Sequence, residues 1–512
     1  MFKISCLNRT KHFLKLNYST KVETGKWQSV VGLEVHAQIT SQSKLFSGSE
    51  NSFSSPVNTN VSLFDGSIPG TLPVLNKRCV EAGVLTALAL NCNINAVSMF
   101  DRKHYFYADM PAGYQITQQR SPLANAGFLE FEVFTPGVHK QSYRIKTNIK
   151  QVQLEQDSGK SLHETDRSLV DLNRAGAPLM EIVFEPDLHD GEEAASLIKE
   201  LINILQRIST CSCKMEEGAL RVDANVSVNK PGEPFGTRTE IKNIASVRGV
   251  AGAIKHEIAR QIKVLESGGR ITNETRAWDA LSRTTVAMRD KEVEQDYRYM
   301  PEPNLPPLHL SIGPHGRGSV DVNKLKESLP ELPEQTRCRL REDFSLSLEH
   351  AIILVNESNL LQLFENSVKT SKNYKLITNL LINDLLTLVN KEKIELDDLK
   401  INGNVIGDLA TLIDDGTINR TTGKLLLHEQ LLGNNVPVKK IIEEKGWEQL
   451  NDDTKIKTLC EQVLNENPKM MEQYKKGKTK VFKAIMGIIS TKTQHRVNMA
   501  KVEEALKALL HK

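Results

Sequence analysis

Gly32-Leu-Glu-Val-His-Ala-Gln-Ile39 alternates without a break. Leu33, Val35, Ala37 and Ile39 fall on one side, and Glu34, His36 and Gln38 on the other. This is the two-residue period of a strand with one buried face. Arg221-Val-Asp-Ala-Asn-Val-Ser-Val228 repeats the pattern, with Arg221, Asp223 and Asn225 opposite Val222, Ala224 and Val226. Thr237-Arg-Thr-Glu-Ile-Lys-Asn243 puts Arg238, Glu240 and Lys242 on one side. Val152 and Leu154 alternate with Gln153, Glu155 and Asp157.

Two helices lie among these strands. Asp190 is placed to cap one whose apolar stripe is Ala194, Leu197, Ile198, Leu201, Leu205 and Ile208. Val250, Ile254, Ile258 and Ile262 recur every four residues, and Gly268-Gly269 ends that helix. Strands and helices mixed in this way predict an α+β domain with a largely antiparallel sheet. The stretch Met300-Pro-Glu-Pro-Asn-Leu-Pro-Pro307 closes it, because proline neither continues a helix nor donates to a sheet. Beyond it the periodicity turns helical, through Leu360, Leu363 and Phe364 and then Leu376, Leu380 and Leu381. We expect domains at 27–318, 319–440 and 441–512, the last two all-α, in keeping with roughly 150 residues per domain over 512 residues.

Composition narrows the class. Apolar residues make up 39% and charged residues 25%, enough for a sizeable core. No apolar run reaches the ~18 residues of a membrane-spanning helix. Residues 1–22 carry five bases and no acid, which leaves the rest at −2 from a whole-chain net charge of +3. A mildly acidic body meets nucleic acid only through local patches. The basic segment itself, with Phe2, Ile4, Leu7, Phe13, Leu14 and Leu16 between its charges, has the texture of a mitochondrial transit peptide. The 7 cysteines are odd in number and scattered, with one close pair, Cys211 and Cys213, so neither a disulfide scaffold nor a zinc site is expected.

The polar faces gather Glu34, His36, Glu155, Asp223 and Glu240 with Arg221, Arg238 and Lys242. Carboxylates crowded on one face repel unless cations sit among them. Oxygen ligands with one imidazole suit Mg²⁺ or Mn²⁺, and interspersed bases suit nucleotide phosphates. A sheet with a solvated face gives the same alternation, so both readings stand on spacing alone. Phe100-Asp-Arg-Lys-His-Tyr-Phe-Tyr107 and the following Tyr114 set aromatics beside cations, a pattern of either a packed corner or a base-stacking surface. Gly477-Lys478-Thr479 lacks the upstream glycine of a phosphate-binding loop, since position 472 is Glu, so any ATP site is of another kind.

Several strings together resemble the B subunit of the aspartyl/glutamyl-tRNA amidotransferases. They are Val-Gly-Leu-Glu-Val-His36, Pro-Gly-Thr-Leu-Pro-Val-Leu-Asn76, Phe-Asp-Arg-Lys-His-Tyr-Phe-Tyr107, Gly113-Tyr-Gln115, Asp171-Leu-Asn-Arg-Ala-Gly176, Arg221-Val-Asp-Ala-Asn-Val-Ser227, Glu240-Ile-Lys-Asn243 and Asp296-Tyr-Arg-Tyr299. The resemblance covers about residues 27–512. It implies a glutamine-synthetase-like cradle and an ATP- and Mg²⁺-dependent ligase in the mitochondrial matrix. Its expected partners are an amidase-type A subunit, a small third subunit and misacylated Glu-tRNA(Gln). On the matching positions it implies Glu34, His36, Glu155 and Glu240 as metal ligands, with Lys103, Glu155, Asp223 and Arg221 at the chemistry. Arg238, Lys242 and Asn225 are then candidates for the nucleotide. The tail resembles the family's small tRNA-contacting domain, and Lys475, Lys476, Lys478, Lys480 and Lys483 lie there in a stretch free of acids. A non-catalytic tRNA-binding scaffold for an amidase is the rival reading.

Two positions depart from the family. Many bacterial members bind zinc through two cysteine pairs ahead of the Pro-Gly-Thr-Leu-Pro string, whereas residues 46–68 hold no cysteine. Asn243-Ile-Ala-Ser246 stands where the family usually reads Asn-Leu-Asn-Ser.

Overall fold

A computed structural model describes residues 26–288, 296–313, 318, 320–434, 436–475, 480–493 and 496–510. The expected leader at 1–22 therefore lies outside the described residues, as do Lys476 and Lys478. The chain divides into two compact units, 1–336 and 337–512.

The first unit is built on strands β1 (Gln28–Gln38), β2 (Asn93–Ile94), β3 (Val97–Ser98), β4 (Asp101–His104) and β5 (Tyr114–Thr117). There follow β6 (Ala124–Val133), β7 (Tyr143–Gln156), β8 (Lys160–His163), β9 (Ser168–Asp171) and β10 (Pro178–Phe184). Last come β11 (Leu220–Asn229), β12 (Thr239–Ile244), β13 (Glu274–Asp279), β14 (Thr284–Ala287), β15 (Met300–Pro301), β16 (Leu308–Ser311) and β17 (Val320–Asp321). Nine of them form one sheet in the order β14-β13-β12-β11-β1-β10-β7-β6-β2. Among the described pairings of this sheet, β12 with β13 is the one parallel pair. The expected mixed fold with a large, mostly antiparallel sheet is borne out.

The alternation read from sequence is the alternation of burial. Leu33, Val35, Ala37, Val222, Ala224 and Val226 are at most 1% exposed. They pack under helices α2 (Gly191–Arg207) and α3 (Val247–Glu266), while α1 (Lys77–Ala89) covers β7 and β6. Each valine so buried contributes about 2 kcal/mol. The Asp190 side chain accepts from the Glu193 amide, as its capping position predicts. A Cβ at Gly191 would lie 2.3 Å from the Ala251 carbonyl, so glycine lets α2 and α3 approach.

A smaller sheet, β15-β4-β5, contacts β7. The segment between β1 and α1 is pinned by a buried ion pair, Lys44 Nζ to Asp65 Oδ2 at 3.2 Å. The same oxygen accepts from Ser47 Oγ and the Ser62 amide.

The second unit is helical. Residues from Leu340 to Ile442 share one apolar cluster, and residues from Ile456 to Leu510 share another. No helix among the described residues is long and apolar enough to cross a membrane.

Candidate active site

The face of the main sheet that carries the alternating polar side chains is where its acids meet. Because directly opposed residues of a ladder share a face, register places them. Across β1 and β11, Glu34 stands opposite Asp223 and His36 opposite Arg221. Across β1 and β10, His36 stands opposite Glu181. Across β10 and β7, Glu181 pairs with Gln153 and Leu179 with Glu155. Ligand atoms of His36, Glu155 and Glu181 all lie within 4.8 Å of one another.

The small sheet brings in two further side chains. Lys103 on β4 is paired with Gln115 on β5. Gln115 Nε2 donates to Glu155 Oε1 and to the Gln156 carbonyl, both at 2.6 Å, and its Oε1 accepts from the Tyr105 hydroxyl at 2.9 Å. Gln153 donates to Glu181 Oε2 at 2.7 Å and to Thr117 Oγ1 at 3.1 Å. The Lys103 ammonium lies 5.0 Å from the ring centre of Tyr297 and 6.0 Å from that of Tyr105. The 100–115 segment thus forms a packed wall, with Phe100 edge-on to Phe46 and Arg102 paired to Glu302 at 2.6 Å and stacked on Tyr114 at 4.2 Å. Phe106 and Tyr107 remain exposed at its end.

Electrostatics follow from burial. Desolvation raises the carboxyl of Glu155, against the pull of Lys103 and with the push of Glu181. Desolvation likewise raises Glu181, with Lys103 opposing and Glu34 adding. Asp223 is raised by burial against the fields of His36 and Lys242. Burial works against the charge on Lys103, but Glu155, Glu181 and the nearby tyrosines outweigh it and hold the ammonium above the ordinary lysine range.

The donor set fits a hard divalent cation. Glu155 is fully buried, and its Oε2 has no partner of hydrogen-bond geometry, although the Thr117 hydroxyl lies close enough to the carboxyl to favour its charged form. A buried carboxylate oxygen left empty is costly unless something positive reaches it. Ligand atoms on an octahedral Mg²⁺ with ~2.1 Å bonds lie ~3–4.2 Å apart, so three groups within 4.8 Å need little closure. One imidazole and two carboxylates suit Mg²⁺ or Mn²⁺.

The expected residues divide accordingly. His36, Glu155 and Lys103 come together. Glu34 and Asp223 sit two register positions along the β1–β11 ladder from His36, and Asn225 Nδ2 donates to Glu34 Oε1 at 3.1 Å. Glu240 does not join the cluster: it is on β12, four strands from β7, or roughly 19 Å at the ordinary strand spacing. There it faces Asn225 across the ladder, accepts from Thr275 and lies 3.7 Å from Lys242. Arg238 is exposed, one residue before β12 begins. Arg221 donates to Asp157 at 3.0 Å, and Arg174 lies 3.6 Å from the same carboxylate. In the tail, Lys475 ends the helix Pro468–Lys475, Lys480 begins the helix Lys480–Lys492, and Lys483 is exposed.

Sequence reasoning missed Glu181 as a ligand. On its strand Met180, Ile182 and Phe184 are buried, while the other face offers Leu179, Glu181 and Val183. One acid between two apolar residues gives no polar stripe, although the period-two burial of its neighbours was there to be read.

Residues 29–313 match the GatB/GatE catalytic domain, and residues 362–510 match the GatB domain. The chain is 53% identical over 508 residues to the B subunit of the mitochondrial glutamyl-tRNA(Gln) amidotransferase of Aedes aegypti, covering 96% of each chain. The Homo sapiens protein of the same name is 46% identical over 494 residues, covering 95% of this chain and 89% of its own. The B subunit of the aspartyl/glutamyl-tRNA(Asn/Gln) amidotransferase of Rickettsia rickettsii (strain Sheila Smith) is 43% identical over 490 residues, covering 95% and 98%. With both domains matched along nearly the whole length, the chain belongs to the family of tRNA amidotransferase B subunits.

Proposed function

We propose that this chain acts in mitochondria as the B subunit of a glutamyl-tRNA(Gln) amidotransferase. Using ATP and Mg²⁺, it phosphorylates the side-chain carboxylate of glutamate carried on tRNA(Gln). Ammonia then displaces phosphate and leaves glutamine on the tRNA. A carboxylate is a poor acyl donor and an acyl phosphate a good one, which is why the amidation draws on ATP. In this reading the main sheet is a cradle of the glutamine-synthetase kind, and residues 1–22 are the leader to the matrix. An amidase-type A subunit supplies ammonia from glutamine, and a small third subunit completes a heterotrimer.

The observation that carries the reading is the empty, buried Glu155 Oε2 beside His36 and Glu181 and near Lys103. His36, Glu155 and Glu181 would hold the cation, which when bound supplies charge neutralisation at phosphate. Lys103, kept protonated by its surroundings, provides a fixed positive charge where negative charge develops on the transferring group. The small sheet limits water at this end of the acidic face. Asp223 and Glu34 extend the face toward Asn225, whose buried Oδ1 is free to meet a donor on the nucleotide or substrate. Arg221, engaged by Asp157, serves first to fix the floor of the site.

The test is conversion of glutamate to glutamine on tRNA(Gln) by a reconstituted complex carrying Glu155→Gln. We expect conversion to be lost with tRNA binding retained. Wild-type turnover would remove Glu155 from the mechanism. A pure tRNA scaffold leaves the burial of Glu155, with Glu181 half-buried beside it, without a reason.

A further inference from the structure

We infer that Gln115 is a positioning residue that sets which oxygen of Glu155 faces the cation seat. The inference rests on the reading of Glu155 as a ligand. Gln115 is 5% exposed, and each of its polar atoms is engaged. Nε2 has two hydrogens and two acceptors at 2.6 Å, Glu155 Oε1 and the Gln156 carbonyl. Oε1 takes the Tyr105 hydroxyl at 2.9 Å. Burial raises the Tyr105 hydroxyl well above its ordinary range, so it remains a donor at neutral pH.

These partners fix the amide in one orientation. Turned over, the amide would set its oxygen against a carboxylate and a carbonyl, two acceptors that offer it no hydrogen. With Oε1 of Glu155 held, the other oxygen is the one left without a partner of hydrogen-bond geometry. Gln115 is also the register partner of Lys103. One short ladder therefore delivers both the fixed charge and the amide that aims the carboxylate. Hydrogen-bond partners that orient a ligand in this way typically govern metal affinity by about 10- to 100-fold.

The experiment measures Mn²⁺ binding to the assembled complex by electron paramagnetic resonance, with Mn²⁺ alone as ligand. Gln115→Met keeps the side chain's length and removes its hydrogen bonds. We expect a Mn²⁺ site weaker by about 10- to 100-fold. Raised Mn²⁺ should restore amidation in this variant, whereas a merely structural defect would lower the melting temperature without moving Mn²⁺ affinity. Wild-type Mn²⁺ affinity in Gln115→Met overturns the proposal. Should that variant not assemble, Tyr105→Phe decides, because it removes one hydroxyl: a several-fold weaker site supports the proposal and an unchanged site overturns it. Glu155→Gln is the control. If it too binds Mn²⁺ normally, the reading of Glu155 as a ligand has failed. If it alone loses Mn²⁺, only the role of Gln115 has.

Discussion

His36 stands directly opposite Glu181 across the antiparallel β1–β10 pair, and both are joined by Glu155 from β7, the next strand along. A ladder fixes such a pair more firmly than a loop does, because the backbone hydrogen bonds of both strands would have to slip to separate them. Glu181→Gln should therefore remove a ligand without moving its neighbours. We expect Mn²⁺ affinity of the complex to fall by about 100-fold or more, beyond the effect of removing a residue that only orients a ligand. Glu240→Gln, four strands from β7, should leave this Mn²⁺ site within about twofold. Titration of both variants by calorimetry separates the outcomes, and equal losses would put Glu240 back among the ligands.

The raised carboxyls give a pH signature. Glu155, Glu181 and Asp223 hold their protons in the folded chain to higher pH than in the unfolded one. Between those two ranges the folded state binds more protons, so the metal-free protein loses stability as pH rises above the ordinary carboxylate range. A divalent cation competes with those protons. The rise in melting temperature produced by saturating Mg²⁺ should thus be larger at pH 7.5 than at pH 5.5, with about 2.7 kcal/mol expected when free Mg²⁺ is 100-fold above its dissociation constant. Differential scanning fluorimetry at the two pH values reads this directly. A shift of equal size at both would disconnect the cation from these acids.

Much of this site was legible from local pattern, and what was not has a physical cause. Alternation around Val35 and Val222 gave both strands and their polar faces, because burial of one face imposes a period of two. Strand order is not local. Nothing in the spacing of Glu240-Ile-Lys242 says that β11, β1 and β10 lie between it and Glu155. Glu181 was hidden by its apolar neighbours, and Gln115 by arriving from a separate sheet. The engagement of Arg221 by Asp157 joins β11 to the residue just past the end of β7, a strand that is not its neighbour, so neither residue's own segment discloses it.

That ion pair is itself testable. Asp157 is almost fully enclosed, while Arg221 keeps a third of its side chain exposed. Asp157→Asn should lower stability by about 2 kcal/mol, the usual worth of a charge-assisted hydrogen bond. Arg221→Met should cost a similar amount, and the double variant little more than either, since the two act as one unit. Thermal unfolding of the four proteins forms the cycle. Fully additive losses would leave Arg221 free for a role at phosphate rather than in the floor of the site.

Close helix packing gives a prediction independent of the chemistry. At Gly191 an added methyl would meet the Ala251 backbone, not a flexible side chain, so there is no cheap way to yield. Gly191→Ala should destabilise by about 1–3 kcal/mol, the range for overpacking a tight contact. An unchanged melting temperature would show that α2 and α3 can part at that point.

The tail bases can be ranked by what the fold already uses. Lys492 is paired with Glu466, and the Arg496 guanidinium donates to the Gly446 and Thr493 carbonyls. These two cations are partly committed to holding the second unit together. Of the bases from Lys475 to Lys483, Lys483 has a described side chain, and it is exposed on its helix and open to phosphate. Charge reversal at Lys476, Lys478 and Lys480 should weaken tRNA binding. It should also flatten the dependence of log affinity on log salt by about 0.7–0.9 for each phosphate no longer neutralised, because fewer counterions are released. Reversal at Lys492 should instead lower thermal stability more than it changes the salt slope. Filter binding across a salt series distinguishes the two, and a slope unchanged in the triple variant would move the RNA-binding surface elsewhere on the complex.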